Sequence, residues 1–322
     1  MGQYLKMNPG YAATDSVIKS EALNTLAEPK LLHSFIAHTG IVKSLIFSPD
    51  GKMIISGGGE NEGNIQFWNF KGRKIAKIGK AHSGSVESVA ISPDGHRFVT
   101  AGSENRINIW NLKNLEFSRS LVGHTSHVLS LAITPDGKIL VSGGLDGIRV
   151  WDLVQQRPLY TLVKFDNFIY ALAISPDGQI LASGDDQGVI KLWNLSNGQL
   201  INQFKGHSRT VTSLGFTPDG ERFVSGSRDR SIKVWNVNSG KEIFSLKGHN
   251  DWVNSIAINL DNQTLASGGK DGIKLWDLTT GKLEKSLASS NDWVNVISFS
   301  PDGKTLASGR FDRKINVWQF GK

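Results

Sequence analysis

The segment GHSRTVTSLGFTPDGERFVSGSRDRSIKVWNVNSG, residues 206–240, decides the fold. VTSLGF (211–216), RFVSGS (222–227) and SIKVWNV (231–237) are short runs rich in β-branched and aromatic residues, each bounded by turn formers. Proline presets φ and Asp-Gly supplies the φ > 0 position, so Thr217-Pro-Asp-Gly220 predicts a tight turn between the first two runs. Arg228-Asp-Arg230 turns the chain again, and Asn238-Ser-Gly240 leads to a fourth run, EIFSLK (242–247), before the next Gly248-His249. Four short antiparallel strands are expected.

The same text recurs in both directions. Ser or Thr before Pro-Asp-Gly stands at Ser48, Ser92, Thr134, Ser175, Thr217 and Ser300, with a degenerate copy, Asn259-Leu-Asp-Asn262, filling the gap in register. Trp68, Trp110, Trp151, Trp193, Trp235, Trp276 and Trp318 follow one another at 42, 41, 42, 42, 41 and 42 residues. Two independent markers share one period, and no helical pattern interrupts it. Four strands per repeat, with Gly-His before the first and Trp-Asp or Trp-Asn closing the third, resembles the WD-repeat β-propeller family. Literal Trp-Asp occurs only at Trp151-Asp152 and Trp276-Asp277. The resemblance covers residues 30–322 and implies an all-β, seven-bladed β-propeller of four-stranded antiparallel blades. Near-uniform text such as SPDGKTLASG (300–309) is similar to bacterial, cyanobacterial-type WD-repeat proteins, where such propellers serve as docking or sensing modules of larger signalling chains.

The chain ends predict how the ring closes. After Trp318 only Gln-Phe-Gly-Lys remains, so the seventh repeat lacks its fourth strand, while Lys30-Leu-Leu-His-Ser-Phe35 matches the fourth-strand text and has no blade of its own. This N-terminal strand is expected to complete the last blade and remove an open edge. Residues 1–29 stand outside the propeller as a leader, either a short helix capped by Asp15 or Ser16 and stopped by Pro29, or a disordered segment.

Composition narrows the function classes. The 322 residues are 39% hydrophobic and 20% charged, with 36 Lys and Arg against 29 Asp and Glu, a formal +7 that favours acidic partners weakly. Cysteine is absent, which excludes disulfides, thiolate metal sites and cysteine nucleophiles. No stretch approaches the roughly 18 apolar residues of a membrane helix, and no signal peptide is legible, so a cytoplasmic protein that does not engage a membrane is expected.

Ser, His and Asp recur together as His124, Ser142 and Asp146; His207, Ser225 and Asp229; His249, Ser267 and Asp271. Each set could be read as a hydrolase triad. Each also recurs at the repeat period beside its own Trp151, Trp235 or Trp276, and the resemblance implies structural tetrads that satisfy buried polar groups. Departures predict looser blades: Ala101 and Asn105 in place of serine and aspartate in blade 2, Phe165 and Gln187 in place of histidine and aspartate in blade 4, and Ser290 in place of histidine in blade 7. Blade 1 keeps His38 and Ser56 but carries Gly57-Gly-Gly-Glu-Asn-Glu-Gly63, which fits no phosphate-binding motif and reads as a flexible surface loop.

Subtracting these scaffold positions leaves Trp252 and Trp293. With His127 they share one slot, the residue before the first strand of a blade, where other blades hold Ile41, Ser85, Phe168 and Thr210. Two residues on stand Lys43, Glu87, Leu129, Tyr170, Thr212, Asn254 and Asn295, and before the tetrad aspartate Glu104, Leu145, Asp186, Arg228, Lys270 and Phe311. The first strands surround the central channel, so these positions are expected at its mouth, the usual partner-binding surface that the resemblance implies. Aromatics on blades 4, 6 and 7 suit interface anchors, with Asn254, Asn295, Arg228 and Lys270 as a polar rim favouring an acidic ligand. The opposing reading is that the repeated Asn-Asp-Trp-Val-Asn at 250–254 and 291–295 only packs blades together.

The expected function is a non-enzymatic protein–protein interaction scaffold, monomeric by itself, binding a protein or peptide and needing no cofactor or metal. Nucleic-acid binding is the second reading, supported by the net charge and interleaved aromatics and opposed by Glu87, Glu104 and Asp186 on the same face. An enzyme comes third, since no catalytic motif stands outside the repeat.

Overall fold

A computed structural model describes residues 29–69, 71–164, 167–287 and 293–320. Apart from Pro29 the expected leader lies outside these residues, as do Phe165 and Ser290. The described strands form seven four-stranded antiparallel sheets. In six of them spatial order follows chain order. In the seventh, Val294–Phe299, Thr305–Arg310 and Lys314–Gln319 are completed by Lys30–Ile36, with Phe35 opposite Ile315 and Leu31 opposite Trp318. Each inner strand packs on the inner strand of the next sheet, and Val294–Phe299 returns to Val42–Phe47, so the sheets are the blades of a closed seven-bladed propeller.

Burial explains the text of the strands. A blade is sandwiched between two others, so its second strand is covered on both faces: Phe223 to Ser227 are buried without alternation, as a two-sided strand requires. Outer strands such as Leu200–Lys205 alternate toward water. The core lies between blades, where Val224, Ile232 and Val234 of blade 5 meet Val253, Ile256, Leu265 and Trp276 of blade 6. Sheet contact at these seams is close enough that a Cβ on Gly226 would approach Val253 Cγ1 to 2.9 Å.

The Pro-Asp-Gly turns repeat one device. Thr217 Oγ1 donates to Asp219 Oδ1 at 2.5 Å, the same carboxylate accepts Glu221 N at 2.9 Å, and Gly220 adopts φ 73°. In the degenerate copy Asn262 takes the left-handed position at φ 60°, a conformation asparagine tolerates better than other non-glycine residues. Its Oδ1 also accepts the backbone N–H of Asp219 from the neighbouring blade.

Candidate functional site

The Ser-His-Asp sets are closed inside their blades. Trp235 Nε1–H donates to Ser225 Oγ at 2.8 Å, Ser225 Oγ lies 2.7 Å from His207 Nε2, and His207 Nδ1 lies 2.9 Å from Asp229. Blades 3 and 6 repeat this chain through Trp151, Ser142, His124 and Asp146, and through Trp276, Ser267, His249 and Asp271. Indole nitrogen only donates, so the serine oxygen accepts it and turns its own proton to Nε2, leaving the Nδ1 proton for the carboxylate. The far carboxylate oxygen accepts the backbone N–H of Thr125 or Asn250, and in blade 5 the oxygen that faces His207 accepts Ser208 N–H as well, tying the inter-blade turn to the hairpin. Burial alone would raise the carboxyls of Asp229 and Asp271, yet the histidine hydrogen bonds and backbone donors hold both well below the usual range. Burial pushes the imidazoles of His82 and His124 below their ordinary value despite the facing carboxylates. Ser142, Ser225 and Ser267 are 0% exposed, so no substrate reaches these hydroxyls.

Blades 1 and 2 keep the tetrad, each with a glutamate as its acid. In blade 2 the hydroxyl is Thr100, not the Ala101 position, and the acid is Glu104, not the Asn105 position. Thr100 Oγ1 lies 2.8 Å from His82 Nε2 and accepts Trp110 Nε1–H at 2.9 Å, while Glu104 lies 2.8 Å from His82 Nδ1. A one-residue slip in a strand reverses the face, and Ala101 pairs with Ile107 rather than with the polar side of the hairpin. In blade 1 the glycine-rich segment is not merely a surface loop: Glu62 enters as the acid, its side chain 4% exposed, 3.1 Å from His38 Nδ1. It also accepts the N–H of Thr39 and Gly40 and the Asn64 amide. Burial would raise its carboxyl, but the hydrogen bond and charge of His38, with those donors, lower it to about 2.

Blades 4 and 7 do depart. Trp193 keeps its bond to Ser183 at 2.9 Å, but Gln187 is exposed and Asp185 becomes the hub, accepting Asn167 Nδ2 at 2.7 Å and the N–H of Gln187 and Val189. In blade 7 the buried Ser308 Oγ and Trp318 Nε1 have no hydrogen-bond partner among the described residues.

A bulge builds the channel mouth. Every pairing of first and second strand skips one residue, as between Val42 and Ser44, Val128 and Ser130, or Val253 and Ser255. The skipped residues are Lys43, Glu87, Leu129, Tyr170, Thr212, Asn254 and Asn295, the set singled out by sequence position. An unpaired residue re-aims its side chain out of the ladder. Some of these side chains bind the next blade. Asn254 Nδ2 donates to Val294 O at 2.9 Å, Asn295 Nδ2 to Val42 O and Lys43 O at 3.1 Å, and Thr212 Oγ1 to Val253 O at 2.6 Å. The two asparagines are therefore seam staples, with their amide donors already committed to neighbouring backbone.

The other two rim positions are neighbours within each blade. The N–H of Arg228, Lys270 and Phe311 donates to the carbonyls of Thr210, Trp252 and Trp293, and Leu145 and Asp186 do the same to His127 and Phe168. In blade 2 this partner is Ser103, bonded to Ser85, whereas Glu104 belongs to the tetrad. The charge on blades 1 and 2 is matched: Lys43 pairs with Glu87 at 3.1 Å.

Across blades 4 to 7 aromatics and cations alternate. The Arg228 guanidinium lies 5.5 Å from the Tyr170 ring and 5.0 Å from the Trp252 ring. Lys270 Nζ follows, 5.1 Å from Trp252 and 4.3 Å from Trp293, and Phe311 meets Trp293 edge to face at 5.4 Å. Trp252 and Trp293 remain 36% and 41% exposed, and Phe168, on blade 4, is 46% exposed. Asp251, 3.7 Å from Lys270, is the member of this group that the reading of the sequence left out. It adjoins Trp252 in the chain, but no repeat position flags it. Among the described residues no group of three His, Asp or Glu side chains is placed to hold a metal ion.

Three family models match the chain: the IFT122 first beta-propeller over residues 168–322, a little under half of it; the eukaryotic translation initiation factor eIF2A over residues 28–115; and the WD domain, G-beta repeat, over residues 115–152. No curated protein matches. On a ring of seven four-stranded blades, with Trp-Ser-His-Asp chains closed inside blades 3, 5 and 6, these matches support placing the protein among the WD-repeat propellers.

Proposed function

We propose that the protein is a non-enzymatic interaction scaffold that binds a protein or peptide at the channel mouth, over blades 4 to 7. The carrying observation is the aromatic arc: Trp252 and Trp293 are large rings held in fixed orientations by their cation partners and left partly open to solvent. Such preordered aromatics lose little entropy when covered and dominate interface energetics. Protein binding is also the general role of WD-repeat propellers. His127, Leu129 and Leu145 extend the proposed surface onto blade 3, and Lys43 borders it on blade 1.

The test is affinity capture from the source organism with wild type, a Trp252→Ala/Trp293→Ala variant and a control carrying Lys138→Glu on the opposite, Pro-Asp-Gly face. A protein retained by wild type and control but lost by the double variant supports the reading. Equal capture by all three overturns it. Nucleic-acid binding is the second reading, favoured by the alternation of rings and cations. An aromatic-held peptide loses little affinity between low and physiological salt, whereas nucleic acid held through several phosphates loses about a hundredfold or more.

A further inference from the structure

The arc already supplies its own cations, and that determines what it lacks. Arg228 covers ring faces of Tyr170 and Trp252, and Lys270 covers ring faces of Trp252 and Trp293. A cationic ligand approaching these indoles meets like charge where it would need a π face. An anion meets the reverse. Arg228 pairs with no carboxylate among the described residues, and its buried Nε has no hydrogen-bond partner. Lys270 has only Asp251, at 3.7 Å on a side chain that is itself 41% exposed.

Elsewhere on the face the carboxylates are engaged by local donors, and Glu87 also by a cation. Glu87 is held by Lys43, Glu104 by His82 and Ser83, and Asp186 by the Phe168 N–H and the Gln187 amide. Arg228, a rim cation with no carboxylate partner among the described residues, thus lies within the aromatic arc, with Lys270 next to it. Guanidinium suits this use, because stacking on a ring leaves its edge N–H groups free for a carboxylate.

We infer that the occupant of the arc is an acidic polypeptide segment, its carboxylates meeting Arg228 and Lys270 while an adjacent apolar side chain covers the open surface of Trp252 and Trp293; this rests on the reading of the face as a peptide-binding surface. Nucleic acid fits less well, since two cations on a face that also carries Glu87, Glu104 and Asp186 neutralise too few phosphates for salt-sensitive binding.

The experiment selects displayed random 12-residue peptides against the whole protein. Recovered sequences are compared with those selected on Trp252→Ala/Trp293→Ala, on Arg228→Gln/Lys270→Gln, and on the charge-preserving Arg228→Lys/Lys270→Arg. The expected pool joins Asp or Glu to an aromatic or aliphatic residue. It loses about tenfold in affinity on the glutamine variant, keeps its acid preference on the charge-preserving one, and is not recovered on the alanine variant. Peptides that need the tryptophans but show no acid enrichment, or bind the glutamine variant equally, overturn the acidic inference and leave the peptide-binding face standing. Peptides that bind the alanine variant as well as wild type, or no selected peptides at all, overturn the face itself. A single-stranded oligonucleotide that outcompetes the selected peptides at physiological salt overturns the inference in favour of nucleic acid.

Discussion

The ammonium of Lys270 in blade 6 lies 4.3 Å from the ring centroid of Trp293 in blade 7, across the seam between them. That contact orients the indole without burying it. Trp293 is 41% exposed, whereas Trp235, at the third-strand position, is 5% exposed and bonded to Ser225. Trp293→Ala is therefore expected to cost about 1 kcal/mol or less, the scale of an exposed cation–π contact, and Trp235→Ala about 3–5 kcal/mol for a buried aromatic. Denaturant melts of the two variants check this; equal losses show that the rim indole is core.

The tetrads predict an asymmetry among blades. Ser225→Ala leaves Trp235 Nε1 and His207 Nε2 without their shared oxygen, at a cost of about 1–3 kcal/mol. Ser308, its counterpart in blade 7, has no partner among the described residues to lose, so Ser308→Ala is expected within about 0.5 kcal/mol of wild type. Thermal unfolding of both variants measures the difference, and equal destabilisation contradicts the network as described.

Ring closure depends on one strand. A chain beginning at Pro29 keeps the pairing of Lys30–Ile36 with Lys314–Gln319, and a folded monomer is expected. A chain beginning at Ala37 leaves that edge unpaired in an otherwise complete ring, and aggregation on refolding follows. Size-exclusion chromatography distinguishes the two, and a monomeric, cooperatively melting product of the longer deletion refutes the closure argument.

Acidification should destabilise the fold in two stages. His82 and His124 have imidazoles pushed below the ordinary 6.5, so the unfolded chain binds more protons as pH drops through that value, and stability falls. Glu62 has a carboxyl lowered from 4.5 to about 2; its contribution is complete above 4.5 and drains away as pH falls toward 2. Melting temperature measured from pH 7 to pH 3 should fall throughout, with Glu62→Gln flattening the part below 4.5. A flat profile between pH 6.5 and 5 contradicts neutral burial of the two histidines.

Chain text alone determined the propeller, its seven blades and its closure, because turn chemistry, two-sided strand burial and the tryptophan period are local and repeat seven times. It also placed Trp252, Trp293, Arg228 and Lys270 in equivalent slots of neighbouring blades, since a repeat converts sequence position into spatial position. Side-chain partners were another matter. Whether Thr100 or Ala101 faces His82 turns on strand parity, whether Glu62 completes blade 1 turns on how a longer loop folds back, and both are settled by packing across the hairpin. Asn254 and Asn295 read as open rim groups, yet their amides reach the next blade because the bulge beneath them turns their side chains toward the seam. Only the tertiary structure could join Arg228, Trp252, Lys270 and Trp293 into one alternating stack, because each contact joins side chains well separated in the chain, within blade 6 or across its seams with blades 5 and 7.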